Sequence, residues 1–220
     1  MQTKPFCVGG LGKARVLVIG HDPRLQASDT QAECAFFADY FFRPRPSRSS
    51  ETAKYRLAEA TFNYIGQLTS NRYPADQLVL TNLCNVGLPH APTGKTVLIP
   101  AHEAQIGIKA IHGILHQSPA EIIFAMSAQV NYWLQKLGFY PPVAEFLSKA
   151  EPKPDGLSSK PPYYVPQQGK AFQLICGQCY TAGRRIVVPI LHLKNRPLRG
   201  AFAKAYSQAY EDCVNQLNGA

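Results

Sequence analysis

The stretch Arg15-Val16-Leu17-Val18-Ile19-Gly20-His21-Asp22-Pro23-Arg24 constrains the fold more than any other part of this chain. An unbroken apolar run rich in β-branched residues suits a strand buried on both faces, as in a parallel sheet covered by helices. Gly20 lets the backbone turn sharply, and Pro23 biases Asp22 away from helical geometry. The carboxylate is therefore expected at the carboxyl edge of an open α/β sheet, where such folds bind their ligands. Taken alone, the decapeptide favours a plainer reading in which Asp22 caps the segment that follows.

Three further apolar runs have strand character: residues 77–83, 121–125 and 185–192. Helical patterns separate them. Ser50-Glu51-Thr52-Ala53 opens a segment through Leu68 with apolar or aromatic side chains at Tyr55, Leu57, Ala58, Phe62 and Ile65, close to helical spacing. A second segment starts at Pro100-Ala101-His102-Glu103 and runs through Ile108, Ile111 and Leu115; a third covers 128–137 and a fourth 200–217. Parallel neighbours need crossover connections, so this alternation predicts a three-layer α/β/α sandwich around a central, mainly parallel four-stranded sheet. A chain of 220 residues can bury such a core as one domain, residues 1–220.

Twenty-three Lys and Arg against fourteen Asp and Glu give a net charge of +9, which favours an anionic partner such as nucleic acid. Arg43-Pro44-Arg45-Pro46-Ser47-Arg48 should form an exposed basic arm able to touch phosphates, and 152–168, rich in Pro, Lys and Tyr, has too little periodicity for a regular element. No apolar run approaches the roughly 20 residues of a spanning helix, and the N-terminus lacks a signal-peptide core. The expectation is a monomeric intracellular protein, cytoplasmic or nucleoid-associated, with no membrane partner. Six cysteines in a chain of this size are expected as reduced thiols, and Cys176-Gly177-Gln178-Cys179 lacks the second pair or histidine that would complete a metal site.

Several motifs fail on inspection. Thr93-Gly94-Lys95-Thr96 lacks the upstream glycine of a phosphate-binding loop, because Pro89 occupies that position. His112 and His116 share a helix face at ligand spacing, but Gly113 stands where a zinc protease has its glutamate. A different grouping holds together. If the four strands form one parallel sheet, their carboxyl ends gather Asp22, Asn82 and His192 on one rim. That set offers a carboxylate, an amide that donates and accepts in one plane, and an imidazole able to donate to a developing anion. Each member also has an ordinary reading, as a cap, a turn former or a strand-end histidine.

Four segments, in order and approximate spacing, resemble the uracil-DNA glycosylase superfamily. Gly20-His21-Asp22-Pro23-Arg24 is similar to the water-activating loop, written GQDPY in the best-known branch. Leu78-Val79-Leu80-Thr81-Asn82-Leu83 resembles the strand ending in the uracil-reading asparagine. Ile122-Ile123-Phe124-Ala125-Met126-Ser127-Ala128-Gln129 resembles the third strand and its turn into a helix, where many members carry glycine and an Ala-Gln pair. The segment from Pro189 to Phe202, through His192-Leu193-Lys194-Asn195-Arg196-Pro197-Leu198-Arg199-Gly200, resembles the terminal strand, the HPSPLS-type loop and an Arg-Gly-Phe helix start.

The resemblance implies a DNA glycosylase acting on uracil or a related damaged base flipped out of single- or double-stranded DNA. Asp22 would orient water and stabilise an oxocarbenium-like sugar, and His192 would hydrogen-bond the departing base. Asn82 would read the base edge beside Gly20, His21 and Arg24, with Phe36, or its neighbour Phe37, stacking on the base. Lys194, Arg196 and Arg199 would bind phosphates. No cofactor and no metal are implied, and the four-cysteine arrangement of the iron-sulfur branch is not reproduced. The sequence departs from the pattern at three places. Arg24 replaces the tyrosine that crowds the thymine methyl, His21 replaces the loop glutamine, and His192-Leu193-Lys194-Asn195 lacks the proline and serine of the intercalating loop. The alternative reading is a non-catalytic nucleic-acid-binding protein on the same scaffold.

Overall fold

Val16–Gly20 forms strand β1 and Leu78–Asn82 forms β2, paired in parallel from Val16 opposite Leu78 to Gly20 opposite Asn82. Successive strand side chains point to opposite faces, yet every residue of both strands is buried, so both faces are covered. The computed structural model describes residues 3–21, 34–47, 49–88, 99–137, 164–165, 170–171, 180–182, 184–190 and 192. They fall in two compact units, Met1–Ala120 and Glu121–Ala220.

In the first unit the crossover between β1 and β2 contains a 3-10 segment, Ala35–Phe42, and helix α1, Ser49–Leu68. Ala58, Phe62, Ile65 and Leu68 of α1 are buried at helical spacing. Phe62 stacks on Phe41 with ring centroids 4.3 Å apart, and Phe37, Tyr40 and Ala58 form an adjoining cluster with Tyr55 and Leu57. Helix α2, Ala101–Gln117, buries Ala104, Gly107, Ile108, Ile111, Ile114 and Leu115. It approaches the chain just past β2 so closely that a methyl group on Gly107 would run into the Leu83 carbonyl.

One connection is invisible to periodicity. Phe6 N donates to Leu80 O at 2.9 Å and Leu80 N donates to Phe6 O at 3.0 Å, so the N-terminal segment satisfies the edge of β2. Lys4 O accepts from Ala35 N at 2.9 Å, tying the same segment to the entrance of the 3-10 segment.

In the second unit β3, Ile122–Met126, pairs in parallel with β7, Arg185–Ile190. Helix α3, Ala128–Lys136, follows β3. Two corrections apply here. The last strand ends at Ile190 rather than reaching His192, and Ile190 O accepts from Ser127 N at 3.0 Å, in the turn beyond β3. A short strand β6, Tyr180–Ala182, also pairs antiparallel with β7, ending with Tyr180 opposite Val187. Pro189, which has no N–H to give, falls beyond that last rung. Tyr164–Val165 (β4) and Lys170–Ala171 (β5) form a two-rung antiparallel ladder, so 152–168 is not wholly irregular. Each unit thus pairs strands in parallel across helical connections, the α/β arrangement expected. The expected terminal helix, 200–217, lies outside the described residues.

Candidate functional site

Because β1 and β2 run in parallel and in register, they end together, and Gly20 faces Asn82 at the carboxyl edge. Their pairing continues one step into the loops: Leu83 N donates to Gly20 O at 2.8 Å and Cys84 N to His21 O at 3.0 Å. The backbone of Gly20-His21, which leads into Asp22, is therefore clamped by the continuation of β2. The Leu83 carbonyl in turn is backed by α2 at Gly107.

Glycine at position 20 is required by close approach. A Cβ there would lie 2.6 Å from Asn82 Oδ1 and 3.1 Å from Phe36 Cε1, with Phe36 Cζ closer still. Asn82 is only 2% exposed, and its Nδ2 has no hydrogen-bond acceptor among the described residues. Leaving such a donor unsatisfied costs about 1–3 kcal/mol, a cost that a ligand carbonyl would remove. The neighbouring Thr81 Oγ1 is also buried without a partner among the described residues, and strand alternation directs it to the opposite face of β2. Nothing in the sequence distinguishes that hydroxyl from any other strand threonine.

Phe36 covers the same spot. Both Phe36 (φ 60°, ψ 13°) and Phe37 (φ 51°, ψ 34°) adopt the left-handed region, interrupting the 3-10 segment. Left-handed backbone in a non-glycine residue costs roughly 1–2 kcal/mol and persists only where surrounding contacts enforce it. Here the enforcement comes from both sides. Ala35 N is held by Lys4 O and Phe37 N donates to Cys34 O at 3.0 Å. The two rings then diverge: Phe36 lies half-buried against Gly20 and Asn82, whereas Phe37 is buried edge-on to Tyr40, 6.3 Å between centroids. Lys54 Nζ sits 5.0 Å from the centroid of the Phe37 ring. A regular helical face carrying Phe36, Phe37, Tyr40 and Phe41 is therefore not what forms.

Gly20, Phe36 and Asn82 are thus brought together in the first unit, with half-buried His21 next in the chain. His192, half-buried, lies two residues past the end of β7 in the second unit. The turn that anchors β7 is itself well fixed. Ser127 has φ 91°, its Oγ accepts from Val130 N at 3.4 Å, and the wholly buried Asn131 donates through Nδ2 to Ala125 O (2.9 Å) and Ser127 O (2.7 Å). Asp22, Arg24, Lys194, Arg196 and Arg199 lie outside the described residues, as do Arg48, Thr93 to Thr96, Cys176, Cys179 and Cys213.

Among the described residues no three His, Cys, Asp or Glu side chains form a group that could hold a metal ion. Cys7, Cys34 and Cys84 are thiols, and burial pushes the Cys7 thiol above its ordinary pKa against the opposing effect of the Gly10 and Gly9 backbone amides. His112 and His116 lie on the exposed face of α2. No helix among the described residues is long and apolar enough to cross a membrane. The arginine arm starts in extended backbone at Arg43 and is exposed at Arg43, Pro44 and Arg45.

The arrangement offers a planar, buried amide beneath a half-exposed aromatic ring, where a flat heterocycle could hydrogen-bond by its edge and stack by its face. Comparison with protein-family models finds no match, and comparison with curated proteins finds no significant similarity.

Proposed function

We propose that the protein is a DNA glycosylase with a uracil-DNA glycosylase-like three-layer fold, hydrolysing the N-glycosidic bond of uracil or a related damaged base flipped out of DNA. The observation that carries the reading is the buried Asn82 carboxamide, whose Nδ2 has no acceptor among the described residues, packed on Gly20 beside Phe36. An enzyme that reads an extruded base needs an edge-reading amide and a stacking ring in one pocket.

In this mechanism the base enters with one face on Phe36, and its carbonyl accepts from Asn82 Nδ2. The bond from the base nitrogen to the sugar C1′ lengthens, its electron pair leaving with the base while positive charge grows on the sugar. Asp22 stabilises that charge and takes the proton of the attacking water as the new C1′–O bond forms. His192 donates a hydrogen bond to the base oxygen that becomes anionic, an interaction stronger in the transition state than in the bound substrate. The positive charge of the chain, Lys194, Arg196 and Arg199 included, supplies phosphate binding.

The reading is tested by incubating the protein with oligonucleotides carrying one uracil, hypoxanthine, xanthine or mismatched thymine, followed by alkaline cleavage of abasic sites. Strand breaks at one or more of these bases are expected, reduced about 100-fold or more in Asn82→Ala. Salt-sensitive DNA binding without breaks would instead identify a non-catalytic nucleic-acid-binding protein. Breaks of undiminished rate in Asn82→Ala would remove that residue from base reading.

A further inference from the structure

We propose that Phe42 and the arginine arm that follows it form a second nucleic-acid contact, a stacking platform for an unpaired base with phosphate-binding arginines alongside. The inference takes from the proposed function only that the ligand is nucleic acid.

Phe42 is 51% exposed, although three other phenylalanines lie within ring-contact distance. Those neighbours brace it from below. Phe6 stacks on it at 5.7 Å with planes 22° apart, while Phe41 and Phe62 meet it nearly edge-on at 5.3 and 5.7 Å. A ring braced in this way on an exposed residue loses little conformational freedom when a base lies on it.

The chain then leaves the platform in extended backbone at Arg43. Arg43 has φ −92° and ψ 155°, and Pro44 and Pro46 fix their own φ. Arg43 and Arg45 are alternate residues, which lie about 6–7 Å apart where backbone is extended, and both are exposed. The Arg43 guanidinium is held in place, 4.1 Å above the centroid of the Tyr40 ring and ion-paired with Asp39. It presents a positioned charge rather than a freely rotating one.

An aromatic face beside cationic side chains is the arrangement by which proteins bind single strands without reading sequence, because every base has a π-face. A paired base inside a duplex hides that face, so the platform favours single-stranded or frayed DNA. Phe42 follows Phe36 by six residues, beyond the left-handed break at Phe36–Phe37.

The test uses uracil-free oligothymidylate carrying a fluorophore, read by anisotropy, which reports binding rather than excision, so failure of the glycosylase reading leaves it intact. Phe42→Leu keeps an apolar contact for Phe6 but removes the π-face; it should weaken binding roughly 5- to 100-fold. It should weaken binding to a blunt duplex far less. Phe42→Trp should retain affinity, with its indole emission quenched on binding. Arg45→Gln should lower the slope of log affinity against log salt by about 0.7. Wild-type affinity for oligothymidylate in Phe42→Leu, with unchanged thermal unfolding, overturns the proposal, as does wild-type protein that fails to bind. Loss of self-association in Phe42→Leu with unchanged DNA binding would also overturn it, by assigning the surface to a second copy of the chain.

Discussion

Asn82 Oδ1 stands 2.6 Å from the point a Cβ of Gly20 would occupy, across the last rung of the parallel pair β1–β2. The glycine that ends the first strand and the asparagine that ends the second are therefore one steric unit. Neither can change size without moving the other, or the Phe36 ring that closes the same space.

Gly20→Ala should accordingly destabilise the protein by about 1–3 kcal/mol, the usual range for overpacking a full site. Urea denaturation at constant slope measures this. Base binding should suffer more than stability, because the methyl displaces Asn82 and Phe36 together. An alanine variant with wild-type stability and activity would show that the close approach has no consequence.

Replacing Asn82 separates function from stability. The Nδ2 group is buried without an acceptor among the described residues, so removing it relieves an unfavourable term. Asn82→Leu, similar in shape, should change the unfolding free energy by less than about 1 kcal/mol, or raise it, while eliminating excision. A loss of several kcal/mol in chemical denaturation would mean that the carboxamide has a structural partner in the folded protein.

The β3–α3 turn tests backbone strain against capping. Ser127 combines φ 91° with a side-chain oxygen that accepts from Val130 N. Glycine removes the strain and loses the cap; alanine keeps the strain and loses the cap. Ser127→Gly should exceed Ser127→Ala in stability by about 1 kcal/mol or more, with the alanine variant below wild type. Thermal unfolding of the three proteins gives the order, and alanine above glycine would contradict the account.

The strands were legible in the sequence because uniformly apolar runs mark strands buried on both faces. The strands at Val16–Gly20 and Leu78–Asn82, and the helix ending at Leu68, lie within a residue or so of expectation. Other features depend on contacts that no local pattern encodes. The left-handed Phe36–Phe37 pair exists because Phe36 is drawn against Gly20 while Phe37 turns to Tyr40. The Phe6–Leu80 bridge is a single rung, and β6 has only three residues, so neither has a period to detect. Asn82 was recognisable by its position, whereas its unpartnered amide emerges only once its surroundings are assembled.

Cys7 provides a pH-dependent prediction. Burial raises the pKa of its thiol above the ordinary 9.0 in the folded chain, so below that value the thiol is protonated in both states and folding is unaffected. As pH rises from 9.0 through the higher folded value, the unfolded state loses its proton first and stability falls. Alkylation by iodoacetamide near pH 8 should be slower at Cys7 than in the unfolded chain, and Cys7→Ser should lessen the alkaline loss of stability. Equal alkylation rates in folded and unfolded protein would contradict the shift.

The central claim is that the turn after β1 carries hydrolytic chemistry. Single-turnover excision of uracil from an oligonucleotide, compared between wild type and Asp22→Asn, tests it most directly. Alkali-labile sites should accumulate with wild type, and the rate should fall at least about 100-fold in Asp22→Asn while DNA binding persists, as expected for loss of transition-state charge stabilisation. Excision at the same rate in both proteins would exclude Asp22 from the reaction and contradict the account.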